Sequence, residues 1–213
     1  METLISVMLT DDHAVVRSGL RRLLEQHDNI TVIAEAESGE QAYQVFGEFM
    51  PDVLVMDISM PGMGGLEALR RILARYEDAK IIIFSMHETT TFAVQALTSG
   101  AMGYVAKSSD AQDLVQAVIN AAQGKNYLSA ELAQKVAAQS ISGDDNPMEK
   151  LTTREFEIFR LLAEGKVVDE ISTILNIGQK TVANYQTMLK QKLGINSPVE
   201  LVRLAIRHGL IDS

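Results

Sequence analysis

About the first 125 residues alternate short apolar runs with longer amphipathic stretches. The runs are four to six residues long, rich in Ile and Val, and largely apolar without alternation. Strands that are buried on both faces show this pattern, whereas the stretches between them have helical spacing. Five strand–helix units in succession predict an α/β fold, a doubly wound parallel sheet with helices on both sides. The predicted strands are Leu4–Leu9, Ile30–Ala34, Val53–Met56, Ile81–Phe84 and Gly103–Ala106.

The strand pattern stops near residue 125, and the remainder of the chain is predicted to be helical. A short helix over 129–138 precedes a small, polar segment with Gly and Pro at 139–147, which is typical of a linker. We therefore predict a first domain at 1–125, a helix and linker at 126–150, and a small all-α domain at 151–213. Its four predicted helices are Thr152–Ala163, Val168–Leu175, Gln179–Leu193 and Pro198–His208.

The formal net charge of −9 is distributed unevenly along the chain. Residues 1–148 contain 10 Lys and Arg against 20 Asp and Glu, whereas residues 149–213 contain 9 against 8. The last domain is therefore nearly neutral, and any DNA affinity must come from a few well-placed cations. The chain has no Cys and no run of about 18 apolar residues, so we expect a soluble, cytoplasmic protein without disulfides or membrane contact.

Polar residues stand at the ends of four predicted strands: Asp11 and Asp12, then Asp57, Ser85 and Lys107. The carboxyl ends of parallel strands meet at one edge of a sheet, so these side chains are expected to face one another. Three close carboxylates repel unless a cation neutralises them, and an all-oxygen ligand set favours hydrated Mg²⁺ over zinc. A carboxylate held by Mg²⁺ and a Lys can attack a phosphoryl donor. Each residue alone has an ordinary structural role, such as a helix cap, but their joint occurrence favours the functional interpretation.

The first 125 residues resemble the receiver domains of two-component response regulators, whose sheet is flavodoxin-like. The resemblance is carried by Asp11–His13, Met56–Gly62, Ser85, Tyr104 and Lys107. It implies that Asp57 accepts a phosphoryl group from a histidine kinase and that Lys107 contacts this group. It also implies that Ser85 and Tyr104 move together as the switch.

The same resemblance implies a Mg²⁺ site. Asp12, Asp57 and the main-chain carbonyl of Ser59 would bind the ion directly, and Asp11 would act through water. Two positions depart from the receiver pattern. Lys107-Ser108 stands where many receivers have Lys-Pro, which leaves open whether this peptide bond is cis. Met86 stands where a small residue is commoner, and we expect it to narrow access to the pocket.

The last domain has the pattern of a helix-turn-helix. Thr152 with Glu155 is a capping box, and a short helix, a turn at 176–178 and a longer helix from Gln179 have the expected spacing. On the longer helix, an apolar stripe is predicted to pack inward: Val182, Tyr185, Leu189 and Leu193. The opposite face suits the major groove, where Asn can read adenine and Lys can meet phosphate. By periodicity alone, a solvated helix face is an equally good interpretation. The residues of this face opposite the apolar stripe are Lys180, Ala183, Asn184, Thr187, Lys190 and Gln191.

A second resemblance favours DNA binding. Leu151–Glu155, Glu170-Ile171, Lys180–Val182 and Lys192-Leu193 are similar to the LuxR-type output domain of the NarL/FixJ family, with most similarity to the GacA/UvrY subgroup. The family usually has Lys at position 183, often His at 185, and Lys or Asn at 169, where this chain has Ala, Tyr and Asp. We therefore expect a different DNA sequence preference. The implied DNA-binding residues are Lys180, Thr181, Ala183, Asn184, Thr187, Lys190 and Lys192.

The two resemblances imply a transcription regulator that is not an enzyme beyond assisting its own phosphorylation and dephosphorylation. At rest the receiver would cover the recognition helix, and phosphorylation would favour a homodimer on promoter DNA. Helix 198–208 is our candidate dimer contact, although Leu201 and Ala205 fit an intradomain core slightly better. Two alternatives stay open. An aspartyl phosphatase would need a second Asp where Ser59 stands, and the nearly neutral output domain could bind a protein instead of DNA.

Overall fold

The N-terminal part of the chain forms one parallel sheet. The computed structural model describes residues 4–142 and 146–211. Its strands are β1 (Ile5–Thr10), β2 (Ile30–Ala36), β3 (Val53–Met56), β4 (Ile81–Ser85), β5 (Gly103–Ala106) and β6 (Tyr127–Leu128). They lie in the order β2-β1-β3-β4-β5-β6, and every neighbouring pair is parallel. The order reverses between β1 and β3, which is the topological switch point of a doubly wound sheet. This confirms the predicted fold class.

Helices cover both faces of this sheet because the strand residues are apolar on both sides. The helices are α1 (Ala14–Leu24), α2 (Gly39–Phe49), α3 (Gly65–Arg75), α4 (Thr90–Thr98) and α5 (Ala111–Ala122). Helices α1 and α5 pack against one face, and α2, α3 and α4 pack against the other. All strand-to-helix loops therefore open at the same edge of the sheet, where the predicted polar residues stand.

The segment after α5 differs from the sequence prediction. Strand β6 was not predicted, because two residues are too short to show a periodic pattern; it pairs Tyr127 with Gly103 and Leu128 with Tyr104. It leads into α6 (Ala130–Ser142), which extends four residues beyond the predicted helix end at 138 and into the predicted linker. Residues 143–145 of that linker lie outside the described residues.

The C-terminal part is helical, as predicted. After a 3-10 helix (Pro147–Lys150), the helices are α7 (Thr153–Ala163), α8 (Val168–Ile174), α9 (Gln179–Leu193) and α10 (Pro198–Arg207). Each agrees with its predicted bounds to within one residue. The capping box is present: the Thr152 amide donates to the Glu155 carboxylate at 2.7 Å, and the Glu155 amide donates to Thr152 Oγ1 at 3.4 Å. The turn between α8 and α9 contains Asn176 with a positive φ of 49°.

The two parts share a continuous apolar core. The ring of Phe92 in α4 meets Phe156 in α7 edge-on, with 5.1 Å between ring centroids. The amide of Gly62, in the loop after β3, donates to the carbonyl of Ile174 in α8 at 2.6 Å. A backbone hydrogen bond therefore joins the first domain to the second close to the carboxyl edge of the sheet. Among the described helices, none has both the length and the apolar character that crossing a bilayer requires.

Candidate functional site

Lys107 joins two carboxylates at the carboxyl edge of the sheet. Its Nζ donates to Asp11 Oδ2 at 2.6 Å and to Asp57 Oδ2 at 2.9 Å. Asp11 follows β1, Asp57 follows β3 and Lys107 follows β5, and the two Asp are 1% and 4% exposed. The parallel topology thus brings together residues that are up to 96 positions apart in the chain.

The negative charges of Asp11 and Asp57 are only partly balanced by Lys107. Burial raises the pKa of Asp57, while the hydrogen bond and charge of Lys107 offset part of that rise. Burial would lower the pKa of Lys107, but hydrogen bonds to Asp11 and Asp57 raise it above its usual value. One ammonium group therefore serves two buried carboxylates, which favours an additional cation nearby.

Asp12 offers a place for that cation. Its Oδ1 is buried without a hydrogen-bond partner, although His13 Nδ1 lies 2.9 Å away. Ligand atoms of Asp11, Asp12 and His13 all lie within 4.8 Å of one another. A buried, unpartnered carboxylate oxygen beside a second carboxylate fits a hard divalent ion such as Mg²⁺, which prefers oxygen ligands. His13 offers a nitrogen rather than an oxygen and is not part of the predicted ligand set.

Both predicted switch residues contact His87, in the loop after β4. The hydroxyl of fully buried Tyr104 donates to the His87 carbonyl at 2.6 Å, and the His87 amide donates to Ser85 Oγ at 3.2 Å. Burial raises the pKa of Tyr104, so its hydroxyl remains a donor throughout the neutral range. Ser85 and Tyr104 are therefore coupled through one residue of the β4–α4 loop.

His87 also links the pocket to the second domain. Its Nε2 lies 3.0 Å from Ser59 Oγ, and its ring stacks on Phe92 with centroids 3.9 Å apart. Phe92 in turn packs against Phe156 of α7. Burial lowers the pKa of His87 to about 4, so the ring is neutral at pH 7. Sequence reasoning missed His87, because a lone His carries no periodic or motif signal; its place two residues after Ser85 was the available clue.

The structure also bears on two sequence departures. The Met86 side chain is 71% exposed, so it does not fill the pocket as a narrowing residue would. Among the described residues no peptide bond is cis, and this includes the bond between Lys107 and Ser108.

The residues predicted to contact DNA lie on α9 and are exposed: Lys180, Thr181, Ala183, Asn184, Thr187, Lys190 and Lys192. Of the predicted inward stripe, Val182 and Leu189 are fully buried, while Tyr185 and Leu193 are half-buried. Lys192 already has a partner, because its Nζ lies 2.7 Å from Glu155 Oε2 at the start of α7. On α10, Leu201 and Ala205 belong to the core, as the sequence slightly favoured.

A cleft of about 410 Å³ separates part of α9 from the first domain. Thr181 and Tyr185 line one side, and Arg70 and Arg71 of α3 line the other. Both arginines are ion-paired with Glu67, at 2.9 Å and 2.7 Å. The first domain therefore lies beside one edge of α9, near Thr181, and leaves the other predicted DNA contacts exposed. In this structure the receiver does not cover the recognition helix as the sequence led us to expect.

Comparison with known proteins gives this arrangement a family. Residues 7–119 match the response regulator receiver domain, and residues 149–205 match the bacterial regulatory proteins of the luxR family. The chain belongs to the LuxR-type response regulators.

Similar proteins extend over nearly the whole length of this response regulator. It is 39% identical to the response regulator UvrY of Escherichia coli K12, over 99% of this chain and 97% of that protein. It is 36% identical to the response regulator GacA of Pseudomonas aeruginosa, over 99% of both chains. Among solved structures, RcsB of Salmonella enterica bound to promoter rprA with the phosphomimetic BeF₃⁻ has a TM-score of 0.72 at 26% identity, covering 95% of this chain and 98% of that one.

Family membership accounts for both parts of the molecule. The receiver match spans β1 to α5, which includes Asp11, Asp57 and Lys107, and the luxR-family match spans α7, α8 and α9 and most of α10. The response regulator is therefore a two-domain regulator with a helix-turn-helix output domain. Its buried acidic residues lie in the receiver domain, and its exposed α9 face lies in the luxR-family domain.

Proposed function

We propose that this response regulator controls transcription through phosphorylation of Asp57. The observation that carries the proposal is the double contact of Lys107 with Asp11 and Asp57, at 2.6 and 2.9 Å. An Asp57 oxygen would attack the phosphorus of a phosphohistidine on a histidine kinase. A P–O bond forms, the P–N bond breaks, and the imidazole takes up a proton. Lys107 would then exchange its carboxylate contact for a phosphoryl oxygen.

We call the group formed by Asp11, Asp12, Asp57 and Lys107 the acidic pocket. It would hold Mg²⁺ through Asp12, Asp57 and the Ser59 carbonyl, with Asp11 acting through water. The unpartnered, buried Asp12 oxygen supports this assignment. When bound, Mg²⁺ neutralises charge on the transferring oxygens. Ser59 would respond to phosphorylation of Asp57, because its amide donates to Asp57 Oδ1 at 3.3 Å and its hydroxyl contacts His87.

The switch would run from the pocket through Ser85, Tyr104 and His87 to Phe92 and Phe156. We call the arrangement with the two domains in contact closed and the arrangement with the domains apart open. Moving such a two-state molecule from mostly closed to mostly open requires about 5.5 kcal/mol of differential stabilisation. Dimerisation on DNA would supply part of this energy. On α10, Val199 and Ile206 are exposed and available for a dimer contact, unlike buried Leu201.

On promoter DNA, two copies of α9 would lie about one helical turn apart on an inverted repeat. The DNA contacts would be Lys180, Thr181, Ala183, Asn184, Thr187, Lys190 and, once released from Glu155, Lys192. The proposed domain bounds are those predicted from the sequence, 1–125, 126–150 and 151–213, except that β6 extends the first domain to Leu128. The protein would act in the cytoplasm, where its kinase and its promoters lie.

Sedimentation velocity with and without beryllofluoride and Mg²⁺ tests the phosphoacceptor. We expect a monomer-to-dimer shift that Asp57→Asn abolishes and that Asp28→Asn, which alters an exposed aspartate of the same domain, leaves intact. An identical shift in Asp57→Asn would contradict the proposal.

A mobility-shift assay on DNA separates the remaining alternatives. We expect salt-dependent binding that Lys180→Ala weakens and Lys125→Ala, at an exposed receiver lysine, does not. Absence of DNA binding in the beryllofluoride form would favour a protein-binding output domain. Turnover of a phosphate ester by the purified protein would favour the aspartyl phosphatase, although Ser59 stands where its second Asp is needed.

A further inference from the structure

Asp169 and Gln179 form an exposed hydrogen bond that joins the two helices of the helix-turn-helix. Gln179 Nε2 donates to Asp169 Oδ1 at 2.6 Å. Asp169 is the second residue of α8, Gln179 is the first residue of α9, and both are exposed. In helix-turn-helix proteins, the N-terminal residues of the recognition helix contact base edges. The pair therefore lies at the end of α9 that would enter the major groove.

The turn between the helices does not depend on this pair. Ser172 Oγ donates to the Ile177 carbonyl at 2.6 Å, and Arg154 Nη2 donates to the Leu175 carbonyl at 2.9 Å. Both bonds are partly buried, whereas water competes freely for an exposed side-chain bond such as Gln179–Asp169. The neighbouring Glu170 differs too, because its carboxylate accepts from the Val167 amide at 2.9 Å and so caps α8. Asp169, in the first turn of α8, interacts favourably with the helix dipole, but its side chain makes no hydrogen bond other than that to Gln179 among the described residues.

The hydrogen bond changes what Gln179 can offer to a base. A free Gln amide can bind adenine with its oxygen and its N–H together. In this geometry one of the two amide N–H groups donates to Asp169, so the pair presents two acceptors, Gln179 Oε1 and Asp169 Oδ2, against one remaining N–H donor. Acceptors match the amino groups of cytosine and adenine in the major groove, and they oppose the keto oxygens of guanine and thymine.

The negative charge of Asp169 strengthens the preference for an amino-bearing base. A carboxylate near DNA is repelled by the phosphates whatever the sequence, and an amino group that donates to it offsets part of the cost. A keto oxygen at the same place adds to the repulsion. Selection against the wrong base is a recognised source of specificity.

We propose that Asp169 and Gln179 act together as a specificity-determining pair that selects an amino-bearing base, cytosine or adenine, over guanine or thymine at one position of each half-site. This rests on the proposed function of α9 as the recognition helix.

The test is selection from a random duplex library by the full chain in its beryllofluoride and Mg²⁺ form, followed by titration of individual duplexes. For the wild type we expect about a tenfold preference for cytosine or adenine at one position. Asp169→Asn keeps the shape and still accepts from Gln179, but replaces one acceptor with a donor. It should erase that preference, leave the other positions unchanged and tighten overall binding. Gln179→Ala should erase the same preference.

Glu149→Gln, which removes one exposed negative charge from the 3-10 helix, is the matched control and should leave the selected sequences unchanged. If Asp169→Asn tightens binding to every sequence equally and the selected motif is unaltered, Asp169 only repels phosphate and the inference is wrong. If the wild type selects no sequence at all, the proposed DNA function fails as well.

Discussion

At the scale of single residues, the acidic pocket depends on how few cations serve its carboxylates. Lys107 is only 10% exposed and contacts two buried Asp side chains, so its ammonium group is the main counter-charge in the described structure. Its length matters as much as its charge, since its Nζ reaches back from the end of β5 to Asp11 and Asp57. Removing it would leave two buried carboxylates facing each other.

We expect Lys107→Ala to lower the free energy of unfolding by about 3–5 kcal/mol without Mg²⁺, because the buried carboxylates lose their partner. Added Mg²⁺ should restore part of the loss. Urea unfolding followed by circular dichroism measures both effects, with Lys125→Ala as the exposed control. A loss no larger than that of the control would contradict this account of the pocket.

At the scale of elements, the loop between β3 and α3 contacts both the pocket and the second domain. Ser59 at its start bonds to Asp57, and Gly62 donates to the Ile174 carbonyl of α8. Gly64 has a φ of 68°, and a Cβ at this position would overlap the carboxylate of Glu157 in α7. Glycine suits this position, because it tolerates a positive φ and leaves room for the Glu157 carboxylate.

Gly64→Ala should therefore separate the domains while each domain stays folded. The variant combines strain at positive φ with an overlap on Glu157, and small-angle scattering should report a larger radius of gyration. Gly124→Ala is the matched control, because Gly124 has a φ of 74° but no atom close to where a Cβ would lie. Equal scattering from both variants would mean that the loop does not hold the domains together.

At the scale of the whole molecule, the domain contact buries an acidic group. Glu157 in α7 is 6% exposed, lies 2.8 Å from Arg154 and faces Glu67 of α3 across the interface. Burial raises its pKa to about 7, with Glu67 adding to the rise, while Arg154 and Arg160 lower it. Closing the domains therefore couples to proton uptake by Glu157.

The closed arrangement should accordingly be stronger at pH 6 than at pH 8. When the domains separate, the pKa of Glu157 falls back toward 4.5, so closure is favoured while the group is protonated and weakens as the pH rises through about 7. Between about 4.5 and about 7, each pH unit weakens closure by about 1.4 kcal/mol, and above about 7 the loss levels off because Glu157 is then ionised in both states. Scattering profiles recorded across this range should show opening in the wild type and in Glu149→Gln. Glu157→Gln should stay closed, and an unchanged pH profile in that variant would refute the coupling.

Local patterns in the sequence were enough to predict the elements and the residues that meet at the carboxyl edge of the sheet. Buried strands and amphipathic helices have local periods, so five of the strands and all of α7 to α10 were predicted close to their observed bounds. The parallel order then required the residues after β1, β3 and β5 to converge, which is why Asp11, Asp57 and Lys107 could be predicted to meet.

The partners that these residues take depend on how the chain folds. It placed His87 between Ser59 and Phe92, paired Lys192 with Glu155 across 37 positions, and added β6 to the sheet. It also enclosed Glu157 under the loop at Gly64. These contacts join residues distant in the chain and depend on packing angles and side-chain reach. Local patterns do not encode them.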